Sequence, residues 1–224
     1  MLKKTAALAA AALMALTLAS CGDKKSSSAE TPENSSSQAD PEARFPESDA
    51  MFKEKFGNVP DAEEGPVLSF SNTEAEPGGV AEVTLSIKGA EGKWSMCGIH
   101  IVHPKELVCR IAHEEDLSLE RTLGDACDDN LGFVTRKWVN DLPEELEKNG
   151  LGCFFFTTLF DQYGGHDGDI VTFYFDVPKD AEPGTVYPIE IYYRNTDMIR
   201  DIAQDPSFEK YAYSHAIAGS VTVK

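Results

Sequence analysis

The sequence predicts an all-β chain folded as a β-sandwich with one or two short helical insertions. Three observations predict it. Short apolar stretches alternate with polar residues at a period of two, as in Val83, Leu85 and Ile87. Gly and Pro punctuate the chain between these stretches, at Glu76-Pro77-Gly78-Gly79 and at Glu182-Pro183-Gly184. Only two segments, 142–150 and 195–216, carry helical patterning, too few for the crossover helices of a parallel α/β sheet. There is no internal repeat.

Each element follows in chain order. Met1-Leu2-Lys3-Lys4 and the Ala-rich apolar run from Thr5 to Leu18 read as a signal peptide, too short for a permanent membrane helix, which needs about 20 apolar residues. The run ends Leu18-Ala19-Ser20-Cys21-Gly22, which resembles the lipobox of bacterial lipoproteins. That resemblance implies cleavage after residue 20 and diacylation of Cys21, two chains being enough for stable anchoring. Residues 21–64 are rich in Ser, Glu, Asp and Pro and read as a flexible tether, because so polar a stretch buries too little to offset its ordering entropy. Within it, Met51, Phe52 and Phe56 either pack on the domain or extend the tether.

The domain then runs from 65 to 224, a single-domain length. Residues 66–90 give two strands about the Pro77-Gly78 turn, and 94–112 give a strand, a corner at Pro104 and a shorter strand. The stretch 142–150 reads as a helix with Asp141 as N-cap, Pro143 in the first turn, Glu144 and Glu145 at the positive dipole end, and Gly150 as its stop. Residues 151–160 are strongly β-prone, 161–169 form a turn, and 169–193 form two strands about the stiff polar turn 177–185. Residues 195–216 mix polar and apolar residues at helical spacing with a break at Asp205-Pro206, and 217–224 close the domain as a strand.

The chain carries 38 acidic and 20 basic residues, a formal net charge of -18. This excludes nucleic acid and anionic lipid surfaces as ligands and permits basic or calcium-loaded partners. Besides Cys21, Cys97, Cys109, Cys127 and Cys153 remain, and four thiols allow three pairings or none. Their wide spacings, with no C-x-x-C pair, do not suit a zinc site.

The stretch "DGDIVTFYFDVPKDAEPGTVYPIEI" is similar to the last third of cohesin modules, and "EPGGVAEVTLSI" to their start. "GIHIVHPKELV" resembles their second characteristic segment, with Val102-His103-Pro104 where many have an aromatic–Asp pair before the corner. The closing "YAYSHAIAGSVTVK" is similar to the ends of rumen-type cohesins. The resemblance covers about residues 66 to 224 in the right order, except 114–149, which has no clear counterpart. It implies a flattened jelly-roll sandwich of about nine strands that does no chemistry. It implies a partner too: a dockerin, a small helical module that brings its own calcium, so that no cofactor is expected on this chain. With the lipid on Cys21, such partners would dock at the bacterial cell envelope, outside the cytoplasm, in a cellulosome-type assembly for polysaccharide breakdown.

The resemblance implies a binding face on strands matching 95–102, 152–159 and 169–177. By position before Pro104 its polar contacts fall on Ser95 and Cys97, with Ile99 adding an apolar contact if exposed; the alternative is that Ile99 and Ile101 are core. In 151–160 one face carries Phe155 and Thr157, the other Phe154, Phe156 and Thr158. At least one Phe therefore needs cover, from the C-terminal helical segment or from a partner, and Phe155 and Thr157 are the contact candidates. Tyr163 in the following turn is another.

Other chemistry has weaker signals. His166-Asp167-Gly168-Asp169 and Asp125-to-Asp129 read as turns, since the full calcium-loop pattern is absent. No nucleophile elbow, H-E-x-x-H or phosphate loop is present, so no catalytic and no metal residue is assigned. The alternative function is capture of a glycan or other small ligand, with Trp94 and Trp138 as stacking rings.

Overall fold

The structure is a computed structural model that describes residues 45–59, 65–128, 130–160 and 164–224. The signal segment, Cys21, the tether up to residue 44, Asp129 and Tyr163 lie outside the described residues. No helix among the described residues is long and apolar enough to cross a membrane.

Two β-sheets face each other. The first has the order β1 (Val67–Phe70), β3 (Val80–Lys88), β11 (Gly168–Asp176), β5 (Val108–Cys109), and β8 (Arg121–Leu123) also pairs with β11. The second has the order β2 (Asn72–Ala75), β14 (Gly219–Val223), β12 (Val186–Ile191), β4 (Trp94–Pro104), β10 (Leu151–Phe160), β9 (Asn130–Trp138). In it, β13 (Met198–Asp201) pairs with β4 beyond the end of β12. A small hairpin joins β6 (Ile111–His113) to β7 (Ser118–Leu119). Among the described strands, all pairings are antiparallel except β14 with β2, which a parallel bridge from Ser69 to Ile217 accompanies. The chain passes from one sheet to the other at Ser71, between β1 and β2, and again through the 177–185 turn between β11 and β12. There Gly184, at φ 86°, takes a conformation that suits only glycine, and its N–H donates to the Val223 carbonyl at 2.8 Å. Among the described residues there are fourteen strands, more than the nine or so expected, because β5 to β8 and β13 are pieces of two to four residues added to the sandwich that the sequence predicts.

The alternation in the strands decides what each sheet buries. From the first sheet Leu68, Val83, Leu85, Ile87, Val171, Phe173 and Phe175 point inward. From the second come Cys97, Ile99, Ile101, Phe154, Phe156, Ile189 and Val221. Phe173 meets Phe154 edge-on across the gap, ring centroids 4.8 Å apart. Each such ring contributes about 1.5–3 kcal/mol by leaving water.

Helix α1 (Pro46–Phe56) packs against this domain. Phe45 is buried in a second, smaller core with Val102, Leu146, Leu151, Cys153 and Tyr192, on the outside of the second sheet. The tether predicted over 21–64 therefore gives way at Phe45 to packed structure, because its few apolar residues find partners: Phe52 and Phe56 both pack on Tyr193. Helix α2 (Glu144–Lys148) lies where the sequence puts it, but Asp141 is not its cap. Asp141 has φ 53°, and extended Pro143 takes the N-cap position with no side-chain hydrogen bond. The helical reading of 195–216 holds only in its second half. Residues 198–201 form β13 because the free edge of β4 supplies hydrogen-bonding partners that outweigh a weak helical pattern. Asp205 then caps α3 (Pro206–Ser214) by accepting the Ser207 N–H at 2.8 Å.

Candidate partner-binding face

The two outer faces of the sandwich differ in chemistry. The outside of the first sheet is hydroxylated and acidic, and its groups satisfy one another: Thr84 with Thr172 at 2.8 Å, Thr122 with Tyr174 at 2.8 Å, Ser86 with Asp169 at 2.6 Å. The outside of the second sheet is polar over β2 and β14, where Ser220 donates to Asn72 at 2.9 Å, but not over β4, β10 and β9. The strands β4, β9 and β10 contain no Asp or Glu at any position, in a chain with 38 such residues.

Register places the outward side chains. Phe155 of β10 pairs with His100 of β4 and Arg136 of β9, Thr157 with Gly98 and Val134, and Leu159 with Met96 and Gly132. One end of this face is closed, since α2, Phe45 and Tyr192 cover Val102 and Cys153. The other end is open: Val134 is 53% exposed and Leu159 43%. A β-bulge, which leaves Leu131 unpaired between Gly132 and Asn130, turns that side chain out to 66% exposure. Gly98 makes a dip, since a Cβ there would lie 3.3 Å from Thr157 Oγ1 and 3.6 Å from the Phe155 ring.

His100 stands at the border between the closed and open ends. Its ring is 5.0 Å from Phe155 and 5.2 Å from Trp138. Its Nδ1 lies 2.6 Å from Asp197, whose carboxylate also accepts the His100 and Arg194 backbone N–H groups at 3.1 Å each. Asp197 thereby plugs the gap along the β4 edge between the end of β12, at Ile101, and the start of β13, at Gly98. Behind it Lys55 of α1 donates to the Asp197 carbonyl at 3.3 Å and pairs with Glu209. Glu145 of α2 accepts the Glu47 and Ser48 N–H groups at 2.9 and 3.3 Å and the Tyr192 hydroxyl, so it caps α1 from a different element.

No protein-family model and no curated protein matches the chain. Solved structures do. The type III cohesin module of a cellulosomal cell-surface anchoring scaffoldin from Ruminococcus flavefaciens is similar at TM-score 0.57 and 21% identity, over 75% of this chain and 96% of that one. A type II cohesin domain from the cellulosome of Acetivibrio cellulolyticus gives 0.51 and 15%, over 70% and 95%. The sixth cohesin from that organism's scaffoldin B, solved with a dockerin, gives 0.49 and 15%, over 72% and 100%. The chain has the cohesin fold.

Within that cohesin fold the predicted contact residues separate. Phe155 and Thr157 come together on the open outer face. Cys97 and Ile99 do not: both are 0% exposed and belong to the core. Cys97 is therefore no contact, and for Ile99 and Ile101 the core alternative holds. Cys97, Ile99 and Ile101 form an unbroken apolar row, and that row pays for inter-sheet packing, leaving Met96, Gly98 and His100 to face out. Ser95 sits at a bulge between Trp94 and Met96, half-buried at the strand edge, with its hydroxyl 3.5 Å from the Arg200 carbonyl. The strand at 169–177 is β11, which lies in the opposite sheet and shares no face with β4 and β10. Its place is taken by β9, from the 114–149 stretch that had no counterpart in the resemblance. The C-terminal helix α3 covers Tyr193 rather than Phe155. Sequence reasoning missed His100, Val134, Leu159 and Asp197; the run of three strands without a carboxylate was the available signal.

The remaining candidates are structural. Trp94 is fully buried, its Nε1–H donating to the His166 carbonyl at 3.1 Å, so it cannot stack on a sugar. Trp138 is flanked by His100 and by the Arg194 guanidinium at 5.1 Å. Among the described residues, all four thiols are free and buried. Cys109 Sγ is 3.1 Å from His103 Nε2, while His103 Nδ1–H donates to the Pro104 carbonyl at 2.8 Å. Burial pushes the His103 imidazole down to about 4 and the Cys109 thiol up to about 12. The pair is a neutral S–H···N hydrogen bond, without the thiolate that nucleophilic catalysis requires. Among the described residues, no three His, Cys, Asp or Glu side chains are grouped to hold a metal. Asp167 instead accepts the Gly89 and Ala90 N–H groups at 2.9 and 2.6 Å, and His166 faces Glu91 at 3.0 Å.

Proposed function

We propose that this chain is a binding module of the cohesin type, not an enzyme, and that it docks a dockerin on the open outer face of β9, β10 and β4. The observation that carries the reading is this acid-free strip, with Phe155 at its centre and Leu131, Val134 and Leu159 exposed around it, on a strongly acidic protein. Interface centres lose charged residues and gain aromatic anchors in just this way, and an apolar patch of this kind is otherwise a liability in water. The likeness in fold to cohesin modules supports the same reading. The partner is a dockerin carried by an enzyme or a scaffoldin of a polysaccharide-degrading assembly, and it brings its own calcium. A diacylated Cys21, with the residues up to 44 as spacer, holds the module at the cell surface.

Calorimetry of the full chain against a panel of dockerins tests this. The expected result is a one-to-one complex in calcium that vanishes in chelator, and that Val134→Asp and Leu159→Asp each weaken at least tenfold while the unfolding temperature stays unchanged. Absence of binding across all dockerin types would sink it. Loss of the Cys21→Ser variant from the membrane fraction checks the anchor.

A further inference from the structure

We infer that the partner's contacting helix crosses this face diagonally and carries carboxylates toward both ends, held by Arg136 and Arg200. This rests on the dockerin reading and adds to it an orientation and a charge. Arg136 is on β9 at the level of His100, and Arg200 is on β13 at the level of Met96. Both are exposed. Among the described residues Arg200 has no ion pair, and Arg136 donates only its Nε–H, to the Asp116 carbonyl at 2.9 Å. Arg194, the third arginine here, is already stacked on Trp138.

The two guanidinium groups stand at opposite corners of the strip. Three strand spacings separate β9 from β13, about 14 Å, and four residues along the strands add about 13 Å. The diagonal is roughly 20 Å, the length of about 13 residues of α-helix. It runs over Thr157 and Gly98, the low part of the surface, where a helix approaches most closely. Nothing on β4, β9 or β10 repels an anion. On β13 the sole carboxylate, Asp201, lies past the bulge and accepts the Asp205 N–H at 2.7 Å; Asp205 and Glu209 line the recess beside Arg200, but Asp205 accepts the Ser207 N–H and Glu209 pairs with Lys55. A chain with a net charge of -18 repels acidic partners at long range. Arg200, without an ion pair, and Arg136, whose terminal guanidinium nitrogens donate to no described residue, stand at the corners of this acid-free strip and therefore select a partner whose negative charge is placed to meet them.

The test uses the dockerins of the calorimetric panel, on full-chain Arg136→Glu, Arg200→Glu, the double reversal, and the milder Arg→Gln double should a reversal misfold. Each single reversal is expected to raise Kd about three- to tenfold, and the double more, because reversal replaces attraction by repulsion. Wild-type affinity is expected to fall between 0.05 and 0.5 M salt, roughly a threefold change in screening length, and the double variant to lose that dependence. If a dockerin binds and Val134→Asp blocks it, yet the arginine variants stay within twofold at both salts, the orientation is overturned and the dockerin reading stands. If no dockerin binds, both fall together.

Discussion

Asp197 Oδ1 lies 2.6 Å from His100 Nδ1, and its carboxylate also receives the backbone N–H of that same residue. Asp197 is 1% exposed, and the groups that donate to it are paired there with a buried acceptor. Asp197→Ala removes the acceptor of two backbone N–H groups and frees the His100 ring beside the gap between β12 and β13. The expected loss is about 2–3 kcal/mol of stability, read by chemical denaturation. Partner affinity should also fall, because the His100 ring that flanks Phe155 is no longer held. Asp197→Asn, which retains one acceptor oxygen, should lose less on both measurements.

Glu145→Gln should loosen α1. The carboxylate caps the N-terminus of a helix whose own N-cap residue, Phe45, supplies no side-chain acceptor. A lost cap costs about 1 kcal/mol. Trypsin should therefore cut after Lys53 and Lys55 several times faster in the variant than in the wild type. Equal rates would mean that the Phe52 and Phe56 contacts with Tyr193 hold α1 unaided.

Stability should fall with acid in a window that His103 sets. Its ring packs between Phe154 and Phe175, and burial lowers its pKa from 6.5 to about 4. Between those values the unfolded chain takes up a proton that the native ring refuses. The contribution is thus complete above pH 6.5 and is lost as the pH falls toward 4, about 3 kcal/mol in all. His103→Gln should show a shallower decline of unfolding free energy from pH 6.5 to 4.5. Parallel slopes would show that other groups carry the dependence.

The four domain thiols should be silent in the native protein. Burial pushes Cys109 and Cys127 up to about 12 and raises Cys97 and Cys153 as well. Alkylation of Cys21→Ser protein at pH 8 should give no adduct when folded and four in guanidinium. Fewer than four in guanidinium without reductant would reveal a disulfide.

A last substitution follows from the His103 site. Gly152 pairs with His103, and a Cβ there would stand 2.8 Å from the imidazole Cε1. Gly152→Ala should cost about 1–3 kcal/mol, as overpacking does, and His103→Ala in the same chain should recover part of it.

The strands themselves were legible because a strand's alternation is local. Val83, Leu85 and Ile87 announce one buried face without reference to any other part of the chain. The same locality explains the turn at Pro183-Gly184 and the order of segments that resembles cohesins. It fails at β13, where four residues form a strand only because β4 offers an edge, and at α1, whose aromatic residues are unremarkable until Tyr192 and Tyr193 stand beside them.

The binding face shows the division most sharply. By itself the sequence determined that β4 has two faces, Cys97 with Ile99 and Ile101 on one and Gly98 with His100 on the other, and that β10 offers Phe155 and Thr157 opposite Phe154 and Phe156. Only the tertiary structure decided which face looks outward. The period of a strand is two, so one residue of phase exchanges every inward side chain for an outward one, and the bulge at Ser95 changes that phase. It decided likewise that β9, and not β11, stands beside β10, since the neighbour of a strand in a sandwich is set by long-range pairing that no local pattern encodes.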